Sequence, residues 1–254
     1  MAKSGGSRGA RGRPVRTGRP AAAKGSAKRP AKPGSGGKPA KPAARKPAEA
    51  PASDTLVVVG PLALGVIPGA TPGKWIDAWQ ERMPRVELTL HPISVAEQGA
   101  ALREGGLDAA LVRLPIAEEG LHIIPLYDER PVAVAAADSH LMAADELDLA
   151  DLAGEIVVVP RDDVLRLAVP GAIAPSFAPP EDTELAIATV AAGVGVVIVP
   201  MSLARLHHRK DVDYRPLRDG PVSTVALAWP ADRTTPAVQA FVSIVRGRTP
   251  NSSR

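Results

Sequence analysis

The segment from residue 181 to residue 200 constrains the fold of this chain more than any other stretch. Two consecutive prolines end whatever precedes it, and Asp182 or Thr183 can cap a helix that follows. Apolar residues at three- and four-residue spacing continue as far as Gly193, a residue type that commonly ends helices. An apolar run over 194–199, broken by one glycine, then predicts a strand buried on both faces, as in a parallel sheet covered by helices. The sequence therefore predicts an α/β fold.

Residues 55–114 show the same alternation of strand and helix patterns. Their order, βαβαβ with short links, is that of a parallel unit. Further along, the pattern favours two more strands and two more helices besides the segment described above. The predicted strands are 55–60, 85–90, 107–114, 155–160 and 222–229, and the predicted helices follow Pro72-Gly73-Lys74, start at a Ser94–Glu97 capping box, and span 201–206 and 236–245.

The charge is distributed very unevenly along the chain. Residues 1–53 carry 14 Lys and Arg against one Glu, whereas residues 54–254 carry 17 basic and 26 acidic residues. The first segment consists mainly of Ala, Gly, Pro, Lys and Arg, so we expect a disordered basic arm, and we expect residues 249–254 to be a disordered tail. Two Gly-Arg-Pro repeats in the arm resemble the AT-hook, which inserts arginine into a narrow A·T minor groove. The predicted DNA-binding residues are Arg11, Arg13, Arg16, Arg19, Lys28 and Arg29. The alternative is a solubilising tail without a specific partner.

Several function classes are excluded or disfavoured by what the sequence contains. There is no cysteine, which excludes a disulfide framework, a thiolate zinc site and a cysteine nucleophile. No run of 18 apolar residues occurs, and no apolar segment follows the basic N-terminus, so we expect a cytoplasmic protein with no membrane partner. The glycine-rich segment 69–74 lacks the Ser or Thr of a phosphate loop, and the five His residues are scattered. We therefore predict no catalytic residues, no metal site and no cofactor.

Three segments resemble the effector-binding domain of LysR-type transcriptional regulators. They are VAAGVGVVIVP at 190–200, LREGGLDAAL at 102–111 and LADLAG at 149–154, and the resemblance extends from about residue 55 to residue 247. It implies a two-subdomain, type 2 periplasmic-binding-protein-like fold with two crossover segments. The expected domain is 54–248, with subdomain I at about 55–134 and 225–248 and subdomain II at about 135–224. The helix-turn-helix of that family is not expected in the proline-rich residues 1–53.

The resemblance also implies a small-molecule cleft between the subdomains. In the family the cleft is lined by residues that follow the first and third strands and that open two helices. The corresponding residues here are Pro61, Leu62, Ala63, Ser94, Arg113, Leu114, Asp182 and Thr183. Two helix N-termini and Arg113 would suit an anion, although Pro61 to Ala63 stand where the family often has Ser or Thr. The alternative is that Ser94 and Thr183 are ordinary helix caps and that Arg113 forms a surface ion pair.

These observations predict a non-catalytic regulatory protein that senses a small, anionic organic molecule and contacts DNA through its basic arm. A solute-binding protein for transport and a ligand-free dimerisation scaffold of the same fold remain as alternatives. A homodimer is expected, because effector domains of the family pair through the first helix of one subunit and the second-subdomain helix of the other. Trp75 and Trp79 in the first helix belong either to that interface or to the core.

Overall fold

A computed structural model of the chain describes residues 59–247, and the predictions for residues 1–53 and 249–254 lie outside this range. Thirteen helices and strands are described, and short 3-10 helices occur at His140–Ala143, Leu149–Leu152 and Ala231–Arg233. In chain order the α-helices and strands are β1 (Leu62–Val66), α1 (Gly73–Arg82), β2 (Leu88–Pro92), α2 (Gln98–Arg103), β3 (Ala109–Arg113), β4 (Leu121–Glu129), β5 (Pro131–Ala136), α3 (Thr183–Ala191), β6 (Val196–Pro200), α4 (Met201–Leu206), β7 (Val212–Pro216), β8 (Ser223–Pro230) and α5 (Pro236–Val245).

Five strands form one sheet in the order β2-β1-β3-β8-β4, and we call the part of the chain around this sheet lobe I. β1 pairs with β2 and β3 in parallel, which confirms the predicted βαβαβ unit, and β8 returns antiparallel between β3 and β4. Trp79 of α1 is 1% exposed, packs against Phe241 of α5 and donates a hydrogen bond to the carbonyl of Val86. Trp79 is therefore a core residue, while Trp75 is half-buried at the edge of the same cluster.

The other three strands form a second sheet in the order β6-β5-β7, and we call the part of the chain around it lobe II. All five residues of β6 are buried, as the apolar run predicted, but β6 pairs with β5 antiparallel rather than in a parallel sheet. α3 and α4 cover one face of this sheet, and apolar residues of two 3-10 helices cover the other. The apolar run therefore predicted correctly that β6 is buried on both faces, although the strand pairs antiparallel, because burial does not depend on strand direction.

Two strand predictions differ from the structure. The first described strand begins at Leu62, in a stretch where a loop was expected; residues 59 and 60 are irregular, and residues 55–58 of the predicted strand lie outside the described range. Residues 155–160 form isolated bridges from Ile156 and Val157 instead of a strand. The bounds of α4 and α5 agree with the predicted helices, since Pro200 precedes one and Thr235 caps the other through the backbone N–H of Val238.

The chain passes between the lobes twice. It leaves lobe I at Arg130, between β4 and β5, and returns between Pro216 and Ser223. Lobe II is consequently an insertion within lobe I. Within residues 59–247, no helix has the length and hydrophobicity that crossing a membrane requires.

Candidate functional site

A cavity of about 770 Å³ lies where the two lobes face each other. This volume falls within the range of roughly 300–1,000 Å³ that is typical of small-molecule sites. Lobe I contributes Pro68 and residues from the 94–117 region, and lobe II contributes residues from 161–166, 182–184 and the end of α4. The cavity is lined by Pro68, Ser94, Val95, Ala96, Gln98, Gly99, Ala100, Arg103, Arg113, Leu114, Pro115, Ile116, Ala117, Arg161, Asp162, Asp163, Val164, Leu165, Arg166, Asp182, Thr183, Glu184, Leu203, Leu206 and His207.

The structure brings together five of the eight residues that the sequence suggested. Ser94, Arg113, Leu114, Asp182 and Thr183 all line this cavity. The other three residues, Pro61, Leu62 and Ala63, are not among its lining residues, because β1 starts at 62 rather than ending near 60. They therefore lie at the amino end of β1, and Leu62 is fully buried in the core of lobe I. Pro68, which follows the carboxyl end of β1, lines the cavity instead.

Both predicted helix starts lie at the cavity, and their side chains act as caps. Asp182 accepts a hydrogen bond from the backbone N–H of Leu185 at 2.8 Å, which caps α3. Ser94 accepts from the backbone N–H of Glu97 at 3.1 Å and donates to the Glu97 carboxylate at 2.8 Å. α2 itself begins only at Gln98, so the Ser94 turn precedes the helix. Capping does not keep either residue from contacting a ligand, because both remain exposed to the cavity.

Arg113 is the most deeply buried charged residue of the cavity wall, with 1% exposure. Its Nη1 donates to Glu129 at 2.8 Å and to the hydroxyl of Ser223 at 2.6 Å. Its Nε and Nη2 have no hydrogen-bond partner among the described residues. This is unusual, because a buried charge normally has its hydrogen-bonding capacity filled. The Nε and Nη2 edge is also the edge that pairs with a carboxylate through two parallel hydrogen bonds.

Glu129 balances the charge of Arg113 and connects it to two further groups. The same carboxylate oxygen, Oε2, accepts a second hydrogen bond from Ser202 of α4 at 2.8 Å. Tyr127, two residues earlier on β4, lies within the electrostatic influence of both charges. Burial, followed by the negative charge of Glu129, raises the pKa of Tyr127 above its usual value of 10.0, although hydrogen bonds from Thr71 and the charge of Arg113 oppose the shift. Arg113, Glu129 and Ser223 are all buried, so the centre of this cluster is largely closed to water.

The segment 161–166 supplies the lobe II side of the cavity. Its turn is held by the Asp163 carboxylate, which accepts the backbone N–H groups of Leu165 and Arg166 at 2.9 Å each. Arg166 has φ of +48°, a left-handed conformation that is uncommon outside glycine. The side chains of Arg161 and Arg166 are exposed and form no hydrogen bond or ion pair with residues 59–247. Two unpaired cations therefore stand at the cavity mouth.

The acidic residues of the same lining are already engaged. Asp162 accepts a hydrogen bond from the hydroxyl of Thr183 at 2.9 Å, and Glu184 lies 3.8 Å from His207. Asp163 and Asp182 likewise accept backbone N–H groups. Among the arginine groups of the lining, the side chains of Arg161 and Arg166 and the Nε and Nη2 edge of Arg113 have no hydrogen-bond partner within residues 59–247.

Sequence reasoning missed Pro68, Gln98 and segment 161–166. Segment 161–166 has no periodic apolar pattern, and its two Arg and two Asp are the only signal in the sequence that could have indicated it. Gln98 lies inside a helix pattern, where a polar residue is usually read as exposed. Within the described residues, no group of three or more His, Cys, Asp or Glu side chains is placed to hold a metal ion.

The family profile described as "LysR substrate binding domain" matches residues 57–250. The chain belongs to this family. The CatR transcriptional regulator of Pseudomonas putida is 33% identical over 170 residues, which cover 63% of this chain and 58% of CatR. OxyR of Escherichia coli, a DNA-binding transcriptional dual regulator, is 30% identical over 184 residues, which cover 67% of this chain and 60% of OxyR. The chain thus spans about three fifths of the length of these two relatives.

Solved structures agree with the match. The effector-binding domain of BenM with its effector benzoate superposes with a TM-score of 0.63 at 20% identity, covering 75% of this chain and 92% of that domain. This likeness shows the fold, a two-lobed periplasmic-binding-protein-like arrangement, as the sequence predicted. The family match is to a substrate-binding domain, and the relatives are transcriptional regulators rather than enzymes.

Proposed function

We propose that this LysR substrate-binding domain binds a small organic anion between its two lobes and that the protein regulates transcription in response. The observation that carries the proposal is that Nε and Nη2 of Arg113, a residue lining the 770 Å³ cavity, are buried without a hydrogen-bond partner. A carboxylate would satisfy both donors at once through two parallel charge-assisted hydrogen bonds. The unpaired Arg161 and Arg166 favour the entry of an anion.

The body of the ligand is expected to be apolar. Apart from its charged residues the cavity offers Val95, Leu114, Ile116 and Val164 and the α4 residues Leu203 and Leu206. An organic acid with a hydrocarbon body of modest size would bury against these side chains while its carboxylate faces the arginines. The effector named for the BenM structure, benzoate, is a molecule of this general kind.

Three alternatives carry less support. A ligand-free dimerisation scaffold would need no cavity, whereas Leu62 is buried elsewhere and Leu114 lines the cavity without filling it. A thiol switch is excluded for this sequence because it contains no cysteine, although structures of reduced and oxidised OxyR are among the similar folds. A solute-binding protein for transport shares the fold. It does not account for the concentration of 14 basic residues in the first 53.

We also propose that the basic residues 1–53 contact DNA and that the protein acts in the cytoplasm as a homodimer. The remaining residues, 17 basic and 26 acidic, would repel a polyanion, so affinity for DNA would have to come from residues 1–53. Arg13 and Arg19, at the centres of the Gly-Arg-Pro repeats, are the candidates for preference for A·T-rich sequence. The curated relatives are themselves named as transcriptional regulators.

Thermal unfolding of the full chain with paired ligands tests the proposed anion binding. A panel of small organic carboxylates that includes benzoate is compared with the corresponding neutral amides, such as benzamide. At least one carboxylate should raise the midpoint in a concentration-dependent way while its amide does not. Arg166→Ala should weaken this effect, whereas Arg246→Ala, which removes an exposed arginine at the end of α5 outside the cavity, should not. Equal effects of acids and amides, or no effect of any acid, would contradict the proposal.

A further inference from the structure

The two lobes make a specific contact at Ser202, the second residue of α4. Its hydroxyl donates to Oε2 of Glu129 at the end of β4, so the hydrogen bond joins lobe II to lobe I. The preceding backbone N–H, that of Met201, donates to the carbonyl of Arg130 at 3.1 Å, in the crossover itself. The start of α4 is therefore held against the crossover at two consecutive residues.

A second element of lobe I, the turn after β1, closes on the same serine. Gly69 of this turn has φ of +82°, and a Cβ built there would lie 2.5 Å from the Ser202 hydroxyl oxygen and 3.0 Å from its Cβ. Only glycine leaves room for the serine in this position. The residues adjacent to this contact on each side, Pro68 and Leu203, both line the cavity. The Gly69–Ser202 contact therefore sets how closely the two cavity walls approach at this point.

We propose that Ser202 is a positioning residue that holds the two lobes in their observed arrangement and thereby sets the width of the cavity and the hydrogen bonding around Arg113. The effect of Ser202 on ligand binding rests on the proposed function, because it concerns the same cavity. The Ser202–Glu129 contact itself does not depend on that function. If the lobes separate at this contact, Glu129 loses the hydrogen bond that the Ser202 hydroxyl donates to it.

Ser202 is linked to Arg113 because both side chains donate to the same carboxylate oxygen of Glu129. Oε2 of Glu129 accepts both Ser202 and Nη1 of Arg113, each at 2.8 Å. When the serine is withdrawn, Oε2 of Glu129 keeps only the Arg113 guanidinium as its partner, and its less compensated negative charge opposes a second carboxylate at the neighbouring Nε and Nη2 edge. When the serine is in place, part of the Glu129 charge is satisfied by its hydroxyl. Lobe closure and anion binding at Arg113 are then mutually favourable, as linkage requires.

Distances between spin labels on the two lobes test the positioning role without any ligand. The chain contains no cysteine, so Glu119→Cys in lobe I and Ala168→Cys in lobe II give two unique labelling sites. Both residues are exposed, and both follow segments that line the cavity, so the distance between them reports the separation of its walls. In the full chain, Ser202→Ala is expected to broaden the distribution and add a population at longer distance. Gly69→Ala should produce a larger shift, because the added methyl group would lie 2.5 Å from the serine hydroxyl oxygen and clash with it.

Matched controls separate this effect from general damage. Gly193→Ala imposes the same backbone strain, at φ of +81°, but its Cβ would meet nothing within 4 Å. Ser243→Ala removes a hydroxyl that donates to Gln239 within α5, far along the chain from the contact. Both controls should leave the distance distribution unchanged. If Gly69→Ala prevents folding, the distance distribution of Ser202→Ala still tests the positioning role.

An unchanged distribution in Ser202→Ala would overturn the positioning role, whatever the outcome of the ligand screen. A shift as large in Gly193→Ala as in Gly69→Ala would overturn it as well, because strain alone would then explain the opening. Failure of every carboxylate in the thermal screen would overturn the proposed function and leave the distance result intact. The two proposals therefore fail by different measurements.

Discussion

The side-chain amide of Gln98 pairs with both main-chain groups of Arg113. Its Nε2 donates to the Arg113 carbonyl at 2.8 Å, and its Oε1 accepts from the Arg113 N–H at 2.8 Å. Gln98 is 5% exposed, so the pair is shielded from water. Because Arg113 is the last residue of β3, this amide extends the hydrogen bonding of the strand and fixes the point at which the guanidinium leaves the sheet.

Replacement of Gln98 should therefore be costly. Gln98→Ala leaves a buried N–H and a buried C=O unpaired, and we expect the free energy of unfolding to fall by about 2–4 kcal/mol. Denaturant unfolding followed by circular dichroism measures the change. Gln80→Ala, in the exposed part of α1, is the matched control and should alter stability by less than about 0.5 kcal/mol. Equal losses in the two variants would show that the Gln98 amide contributes little.

The ionisation of Tyr127 provides a test of the buried cluster. Its pKa is raised above 10.0, mainly by burial and then by the charge of Glu129, so the folded state favours the neutral phenol. The contribution of this group to stability is complete below pH 10.0 and is lost as the pH rises from there through the raised pKa. In Tyr214→Phe, Tyr127 is the remaining tyrosine, and its absorbance titration should have a midpoint above 10.0. A midpoint at or below that value would contradict the burial of the phenol.

The predicted homodimer can be separated from the core role of Trp79. Trp79→Ala should destabilise the domain by about 3–5 kcal/mol, since a buried aromatic side chain is lost from the cluster with Phe241. Leu185 of α3 is 51% exposed, so Leu185→Gln should leave stability nearly unchanged and weaken self-association instead. Light scattering at tens of micromolar measures the molecular mass of both proteins. A monomeric parent chain would contradict the dimer prediction.

DNA binding should depend on residues 1–53. The full chain is expected to bind duplex DNA with steep salt dependence and some preference for A·T-rich sequence, and residues 54–254 alone should not bind. Arg13→Ala with Arg19→Ala should remove the A·T preference while most non-specific binding remains. Lys41→Ala with Lys46→Ala removes the same charge outside the Gly-Arg-Pro repeats and should keep the preference. Gel shifts over a salt series distinguish these cases, and equal weak binding by both lengths would refute a role for the basic segment.

Elements with strong local signals could be predicted from the sequence. α4 and α5 are delimited by a proline or a capping threonine, and Gly193, at φ of +81°, ends α3 as expected. The glycine that interrupts the apolar run before β6 has a specific cause. A Cβ at Gly195 would lie 2.0 Å from the Ile156 carbonyl oxygen, which accepts the N–H of Val196. A close backbone contact of this kind between distant segments cannot be read from the sequence.

The partners of the candidate site could not be predicted for a similar reason. Arg113 could be named from its position after a strand, but its contacts with Glu129 and Ser223 are 16 and 110 residues away in the sequence. Strand β1 was missed because Leu62–Val66 follows the turn signal Gly60-Pro61 and was assigned to a loop, whereas it pairs with β2 and β3 in the folded protein. Three predicted site residues consequently lie at the amino end of β1 and not beyond the carboxyl end of a strand.

The two passages of the chain between the lobes have one more consequence. Residues 59 and 247 both belong to lobe I, and the backbone joins lobe II to it only at the crossovers near Arg130 and at 217–222. Neither end of the described chain therefore lies in lobe II. A reporter fused at either end of the domain would be attached to lobe I, whereas one inserted into an exposed turn of lobe II would follow any displacement of that lobe. The topology suits the domain to conversion into an optical sensor.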